Sequence, residues 1–313
     1  MIEQNGFVGI DVAKPHFDIH LHPTNIRWRC SSSSDAIDEL VHRLCALGPV
    51  AVGLEATGGY EQALADRLHA AGLKVYLLPP ARVRSFAKCI GLLSKTDRID
   101  AAVIAQYLGV VHERLTPYEP DPARQRLHAI TAHRRRLLGE KTGLASQLDT
   151  IAEPIVRDLI EARLVTIAAD IKTLEAAISA LLAQTPRLAQ RQARLRQVTG
   201  VGPVLAIGLL ADMPELGKVS AKAAAALIGV APYSRQSGRT DRNGRCMGGR
   251  KHLRDIAYMA VLSAIKVRDP VLCGFYQRLR ARGKPFKLAM IATTRKLITI
   301  LNAIAKQDPA FQN

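Results

Sequence analysis

At 313 residues, with 48% hydrophobic residues and a formal net charge of +17, the chain exceeds the usual size of one domain and has ample apolar material for packed cores. The apolar stretches Val201 to Ala211 and Ile256 to Ile265 fall far short of the roughly 20 residues that span a bilayer, and the opening residues lack the basic head and apolar run of a secretion signal. A cytoplasmic protein is expected. Cys30, Cys45, Cys89, Cys246 and Cys273 are odd in number and include no Cys-x-x-Cys pair, which argues against a disulfide frame and a zinc site.

In chain order, Phe7 to Asp11 reads as a strand, and Phe17 to Leu21 and Ile26 to Arg29 as two more joined by a turn at His22-Pro23-Thr24-Asn25. The run Ser31 to Asp35 caps an amphipathic helix whose apolar face is Ile37, Leu40, Val41 and Leu44. Val50 to Leu54 and Val75 to Leu78 are short apolar strands separated by a helix from Glu61 to Ala71. A β-meander followed by alternating helices and strands is the order of an α/β ribonuclease-H-like domain, expected over residues 1–115. His16, His20 and His22 read as ordinary exposed histidines on or near a strand edge.

From Arg124 to Leu182 the pattern becomes helical. Leu127, Ile130, Arg134, Leu137, Lys141, Leu144, Leu148 and Ile151 step by three and four, as do Leu164, Ile167, Ile171, Leu174, Ile178 and Leu181, with an interruption at Glu153-Pro154. A coiled-coil arm is expected over 120–190, as a hairpin or a dimer interface; two helices packed on their own domain would give the same stripe. A third, mostly α-helical region follows over 195–313. It opens on Thr199-Gly200-Val201-Gly202-Pro203, which resembles a helix-hairpin-helix turn able to hold a phosphate, or serves as an ordinary interhelical turn. Between residues 231 and 256 come four glycines and seven Lys/Arg, in a loop-like stretch around Ser237 that contains Arg235, Gly238, Arg239, Arg242, Arg245, Arg250, Lys251 and Arg254.

Charge is unevenly divided. Residues 1–110 hold 11 Lys/Arg and 11 Asp/Glu, whereas 111–313 hold 33 and 16. A concentrated positive field points to a polyanion partner, and aromatic residues at 4% are too few for a single-strand stacking platform. Asp11 and Glu55 each close an apolar run, where α/β sheets place ligand groups, and Asp97 and Asp100 lie three apart on one face of a helical turn. Four such carboxylates suit paired Mg2+ ions and phosphodiester chemistry. Ser237, in its basic glycine-rich setting, reads either as a nucleophile or as a phosphate contact.

Together, Gly9-Ile10-Asp11-Val12-Ala13-Lys14, Leu54-Glu55-Ala56-Thr57-Gly58-Gly59-Tyr60, Lys95-Thr96-Asp97-Arg98-Ile99-Asp100-Ala101 and Gln236-Ser237-Gly238 resemble the DEDD transposases of the IS110 and IS1111 insertion-sequence class, related to the Piv invertases. The resemblance runs over essentially the whole chain. It implies a RuvC-like ribonuclease-H-fold domain, a coiled coil and a C-terminal transposase domain. Asp11, Glu55, Asp97 and Asp100 would be the metal-binding tetrad and Ser237 the residue covalently joined to DNA. It further implies a homo-oligomer whose two centres meet between subunits, and a noncoding bridge RNA that pairs with target and donor DNA. A RuvC-like junction nuclease using water, and a non-enzymatic nucleic-acid scaffold, are the rival expectations.

Overall fold

The computed structural model describes residues 6–48, 50–56, 58–92, 97–237 and 240–311, with the side chains of 97–99, 234–237 and 240–243 left aside. It divides into two compact units, residues 1–120 and 121–313.

The first unit is a five-stranded mixed sheet between two helical layers. Its strands are β1 (Gly6–Val12), β2 (His16–His22), β3 (Ile26–Ser31), β4 (Val50–Glu55) and β5 (Lys74–Leu78), in the order β3-β2-β1-β4-β5. The meander β1-β2-β3 is antiparallel, and β4 and β5 extend it in parallel with β1. Strand alternation sends Val8, Ile10, Phe17, Ile19, Val52 and Leu54 to one face. There they meet Ile37, Leu40 and Leu44 of α1 (Ser34–Ala46) and Leu64 and Leu68 of α2 (Gln62–Ala70). On the opposite face Ala51, Tyr76 and Leu78 pack on Val83 of α3 (Pro80–Cys89) and on Val103, Ile104 and Leu108 of α4 (Asp97–Val111). His20 departs from expectation. Its strand β2 is interior rather than an edge, and its partner Gly9 lies under α4, so the imidazole is 1% exposed. Burial lowers its pKa.

The second unit is helical apart from one hairpin. Helices α5 (Pro122–Leu148) and α6 (Pro154–Gln184) start with proline in the first turn, where no donor is lost. They pack on each other through Leu137, Ile167 and Ile171. The ion pairs Arg134–Glu175 at 2.6 Å and Arg163–Glu140 at 3.0 Å descend one helix while climbing the other, so the two run antiparallel. Near their base, Leu127, Ile178 and Leu181 join a larger core with α7 (Pro186–Arg196), α8 (Pro203–Asp212), α9 (Ala221–Leu227), α10 (Lys251–Lys266), α11 (Leu272–Ala281) and α12 (Phe286–Gln307). Helix α12 is the one helix among the described residues long and apolar enough to cross a membrane. Its apolar face is spent instead on that core, with Met290, Leu297, Ile298 and Leu301 fully buried.

The stretch around Ser237, expected as a loop, forms an antiparallel pair of strands, β6 (Pro232–Ser237) and β7 (Thr240–Cys246), with a bulge between Tyr233 and Arg235. All five cysteines are free.

Candidate active site

Two glycines bring the first set of carboxylates into one neighbourhood. Gly9 and Gly53 are partners in the parallel pair β1/β4 and lie under α4. A methyl group on Gly9 would collide with the backbone of Ala101 and Ala105, and one on Gly53 would press on Ile104 and Leu108. Only a surface stripped of Cβ lets a helix approach a sheet so closely. Farther along α4, Gly109 sits over Phe7, so the helix runs opposite to β1 and its first turn lies toward Asp11. Asp11 and Glu55 stand one residue beyond the Ile10–Leu54 register pair, on the α4 face of adjacent strands, and both are half-buried. Asp100, also half-buried, precedes Ala101, whose carbonyl covers Gly9. Asp97 begins the same helix, and its side chain lies outside the described residues. Asp11, Glu55 and Asp100 thus share one end of the sheet and one helix terminus. Among the described residues no three Asp, Glu, His or Cys side chains close into a metal-holding group.

Ser237 and Thr240 are the last register pair of the β6/β7 hairpin, which puts Ser237 beside its tip; Gly238 and Arg239 lie outside the described residues. Arg235 and Arg242 oppose each other in register, and Arg245 is exposed on β7. The base of the hairpin is pinned by a backbone crossing. Gly249 has φ +69° and abuts the backbone of Ile228 and Gly229, while Gly229, at φ +77°, abuts Gly248. Arg254 Nη1 donates to the Gly248 carbonyl at 2.8 Å, and Arg250 Nη2 donates to Glu215 at 2.7 Å. These two arginines, expected to face nucleic acid, hold the protein's own acceptors. Lys251 is exposed and pairs with Asp255 at 2.6 Å.

The turn expected to be helix-hairpin-helix-like joins α7 to α8. Gly200, at φ +87°, is pressed onto Ala260 and Ala264 of α10, so interhelical packing accounts for it. Gly202 caps α8 with open space around its Cα.

A cluster invisible to pattern reading lies deeper in the second unit. Asp212, at the end of α8, is buried and accepts from His128 Nδ1 at 2.6 Å, His252 Nε2 at 2.6 Å and Arg135 Nη1 at 3.0 Å. Burial alone would raise its pKa, but the His128 hydrogen bond and the neighbouring cations bring it down to about 2. Burial lowers the pKa of His252, outweighing the pull of Asp212. Asp212, Arg135 and His252 line a cavity of about 710 Å³ with Leu138, Ile178 and Ile207. The one sequence signal was an acid ending the apolar run Pro203 to Ala211; its partners are 84, 77 and 40 residues away.

Residues 8–155 match a DEDD transposase model of the IS110 type, and residues 192–277 match the IS116/IS110/IS902 transposase family, together about three quarters of the chain. The pilin gene-inverting proteins of Moraxella lacunata and Moraxella bovis are each 28% identical over 324 aligned positions, covering 97% of this chain and 97% of theirs. Asp11, Glu55, Asp97 and Asp100 fall within the first match and the Ser237 hairpin within the second, and the chain belongs to the IS110 class of transposases, enzymes that recombine DNA.

Proposed function

We propose that this transposase excises and inserts an insertion sequence using two centres, a carboxylate tetrad that holds Mg2+ and a serine that is transiently joined to DNA. The tetrad is Asp11, Glu55, Asp97 and Asp100, in a domain of ribonuclease-H type spanning 1–115. The observation that carries this reading is the Gly9/Gly53 seat of α4, which leaves Asp11, Glu55 and Asp100 at one end of the sheet. The donors suit the ion. Carboxylate oxygens are hard ligands, and Mg2+ is commonly held by one or two carboxylates, with water and phosphate oxygens completing its shell, so adjacent Asp11 and Glu55 suffice without a closed set of three. When bound, a pair of such ions supplies neutralisation of the charge that develops on the phosphate and the leaving oxygen.

Ser237 acts as nucleophile. Its Oγ bonds to phosphorus as one sugar–phosphate ester bond breaks, and its proton ends on the released sugar hydroxyl. Attack by another sugar hydroxyl on the phosphoserine rejoins the strands and restores the serine. Arg235 and Arg242, in register on the two strands of the hairpin, are proposed to contact the phosphate backbone. Arg239, Arg245, Arg250, Lys251, Arg254, Gly200, Gly202 and Gly238 are the other proposed nucleic-acid contacts.

A noncoding bridge RNA is proposed to select sites by base pairing while the protein holds shape and backbone. Helices α5 and α6 form the coiled-coil arm of 120–190, and the residues Ile155, Leu159 and Val165, 66%, 66% and 71% exposed on α6, favour contact with a second copy. The basic transposase domain spans 195–313. The relatives' name, pilin gene-inverting, agrees with a reaction that rejoins the DNA it cuts.

Incubating full-length protein with DNA carrying the element ends and then denaturing the mixture tests the serine. A covalent protein–DNA adduct is expected with wild type and none with Ser237→Ala. An adduct that survives the substitution overturns the assignment, and free ends without any adduct indicate attack by water.

A further inference from the structure

Asp11 has a second carboxylate directly beside it. Its cross-strand partner on β2 is Asp18, whose own partner on β3 is Arg29. Arg29, Asp18, Asp11 and Glu55 therefore form one line across the α4 face of the sheet. Opposed positions hold Cβ atoms about 4.5–5.5 Å apart, and like charges there repel. Asp18 is only 5% exposed, so solvent does little to relieve it. Arg29 does: Nε donates to Oδ1 at 3.0 Å and Nη2 to Oδ2 at 2.6 Å, a grip that occupies both oxygens. His16 Nε2 lies 3.4 Å from Oδ2.

We infer that Asp18 and Arg29 are a positioning pair for the cation centre, in which Arg29 cancels the charge of Asp18 and keeps its oxygens turned toward β3, thereby setting how tightly the centre holds a divalent ion. The inference rests on the reading of Asp11 and Glu55 as cation ligands. Its signature is opposite signs. Removing the Arg29 charge uncovers a negative group beside Asp11, whereas removing the Asp18 charge uncovers a positive one. Across a few ångströms of partly screened protein, either change is worth on the order of tenfold in divalent-ion affinity. A merely structural cross-strand ion pair would lose stability in both variants and leave affinity alone.

The test is calorimetric titration of the full-length chain with Mn2+ alone, without nucleic acid, alongside thermal melts. Relative to wild type, Arg29→Gln is expected to bind about tenfold tighter and Asp18→Asn about tenfold weaker, with the double variant within about threefold. Arg29→Lys, which keeps the charge but loses the two-pronged grip, serves where Arg29→Gln does not fold, and is expected to tighten binding by about threefold. With Asp11→Asn abolishing Mn2+ binding, unchanged affinities or shifts of the same sign in folded variants overturn the inference. Binding by Asp11→Asn equal to wild type overturns instead the reading of Asp11 as a ligand.

Discussion

At the scale of single residues, the second unit depends on a buried carboxylate that no local pattern announces. Asp212 takes one donor from α10 and two from α5, so it joins the root of the helix pair to the C-terminal core. Arg135 is permanently charged and balances it, and the two histidines serve as further donors. The signs of the pKa shifts decide the pH response. The Asp212 pKa is depressed from 3.8 to about 2, so its contribution is present above pH 4 and is lost only as pH falls toward 2. The His252 pKa is lowered from 6.5, so the unfolded chain binds the extra proton first and stability falls as pH drops below about 6.5. Urea unfolding should therefore show a lower midpoint at pH 5 than at pH 7.5. His252→Gln, which cannot titrate, should narrow that difference. Asp212→Ala should cost about 2–4 kcal/mol at neutral pH, because Arg135 and two imidazoles lose their acceptor; the partly exposed Arg135 keeps the cost below that of a fully buried pair.

At the scale of elements, the helix pair α5/α6 has its own small core. Leu137, Ile167 and Ile171 form a cluster separate from the one that unites α7 to α12. Ile167 is fully buried there, so Ile167→Ala should cost about 2–5 kcal/mol locally. Amide exchange should accelerate in the outer turns of α5 and α6 while α10 and α12 keep their protection; uniform loss across the unit would show that the pair is not a separate cooperative element. The heptad stripe that builds this cluster was legible because 3.6-residue periodicity is a local property, and so were β1 to β5, whose apolar runs are bounded by turn residues. The β6/β7 hairpin was not. Its strands, PYSRQS over Pro232–Ser237 and TDRNGRC over Thr240–Cys246, are largely polar in sequence, so no apolar alternation marks them. The burial of His20 was hidden for another reason: it depends on α4, about 80 residues later in the chain, crossing Gly9. Asp11 and Glu55 were legible as strand ends, but their adjacency follows from the β1/β4 register, which a single strand does not encode. The intramolecular partners of Arg250 and Arg254 were hidden as well, because composition counts charges without showing which acceptors they already hold.

At the scale of the molecule, the two units differ in electrostatic character. Residues 1–120 hold 12 Lys/Arg against 13 Asp/Glu, and residues 121–313 hold 32 against 14, so the whole excess resides in the helical unit. A unit carrying +18 attracts a phosphate backbone over a distance set by the Debye length, about 10 Å at 0.1 M salt, whereas the near-neutral α/β unit exerts no comparable pull. Affinity and chemistry should therefore be separable. DNA binding by the full chain should fall steeply between about 50 and 200 mM salt, by a factor on the order of a thousand if six phosphates are contacted. Arg245→Ala, at an exposed hairpin position, should flatten the slope of log affinity against log salt by about one. Asp11→Asn should leave that slope unchanged while abolishing cleavage, because a carboxylate that serves the reaction neutralises no phosphate. Fluorescence anisotropy across a salt series measures all three slopes, and a flat response in the wild type would remove the basic unit from the account of DNA binding.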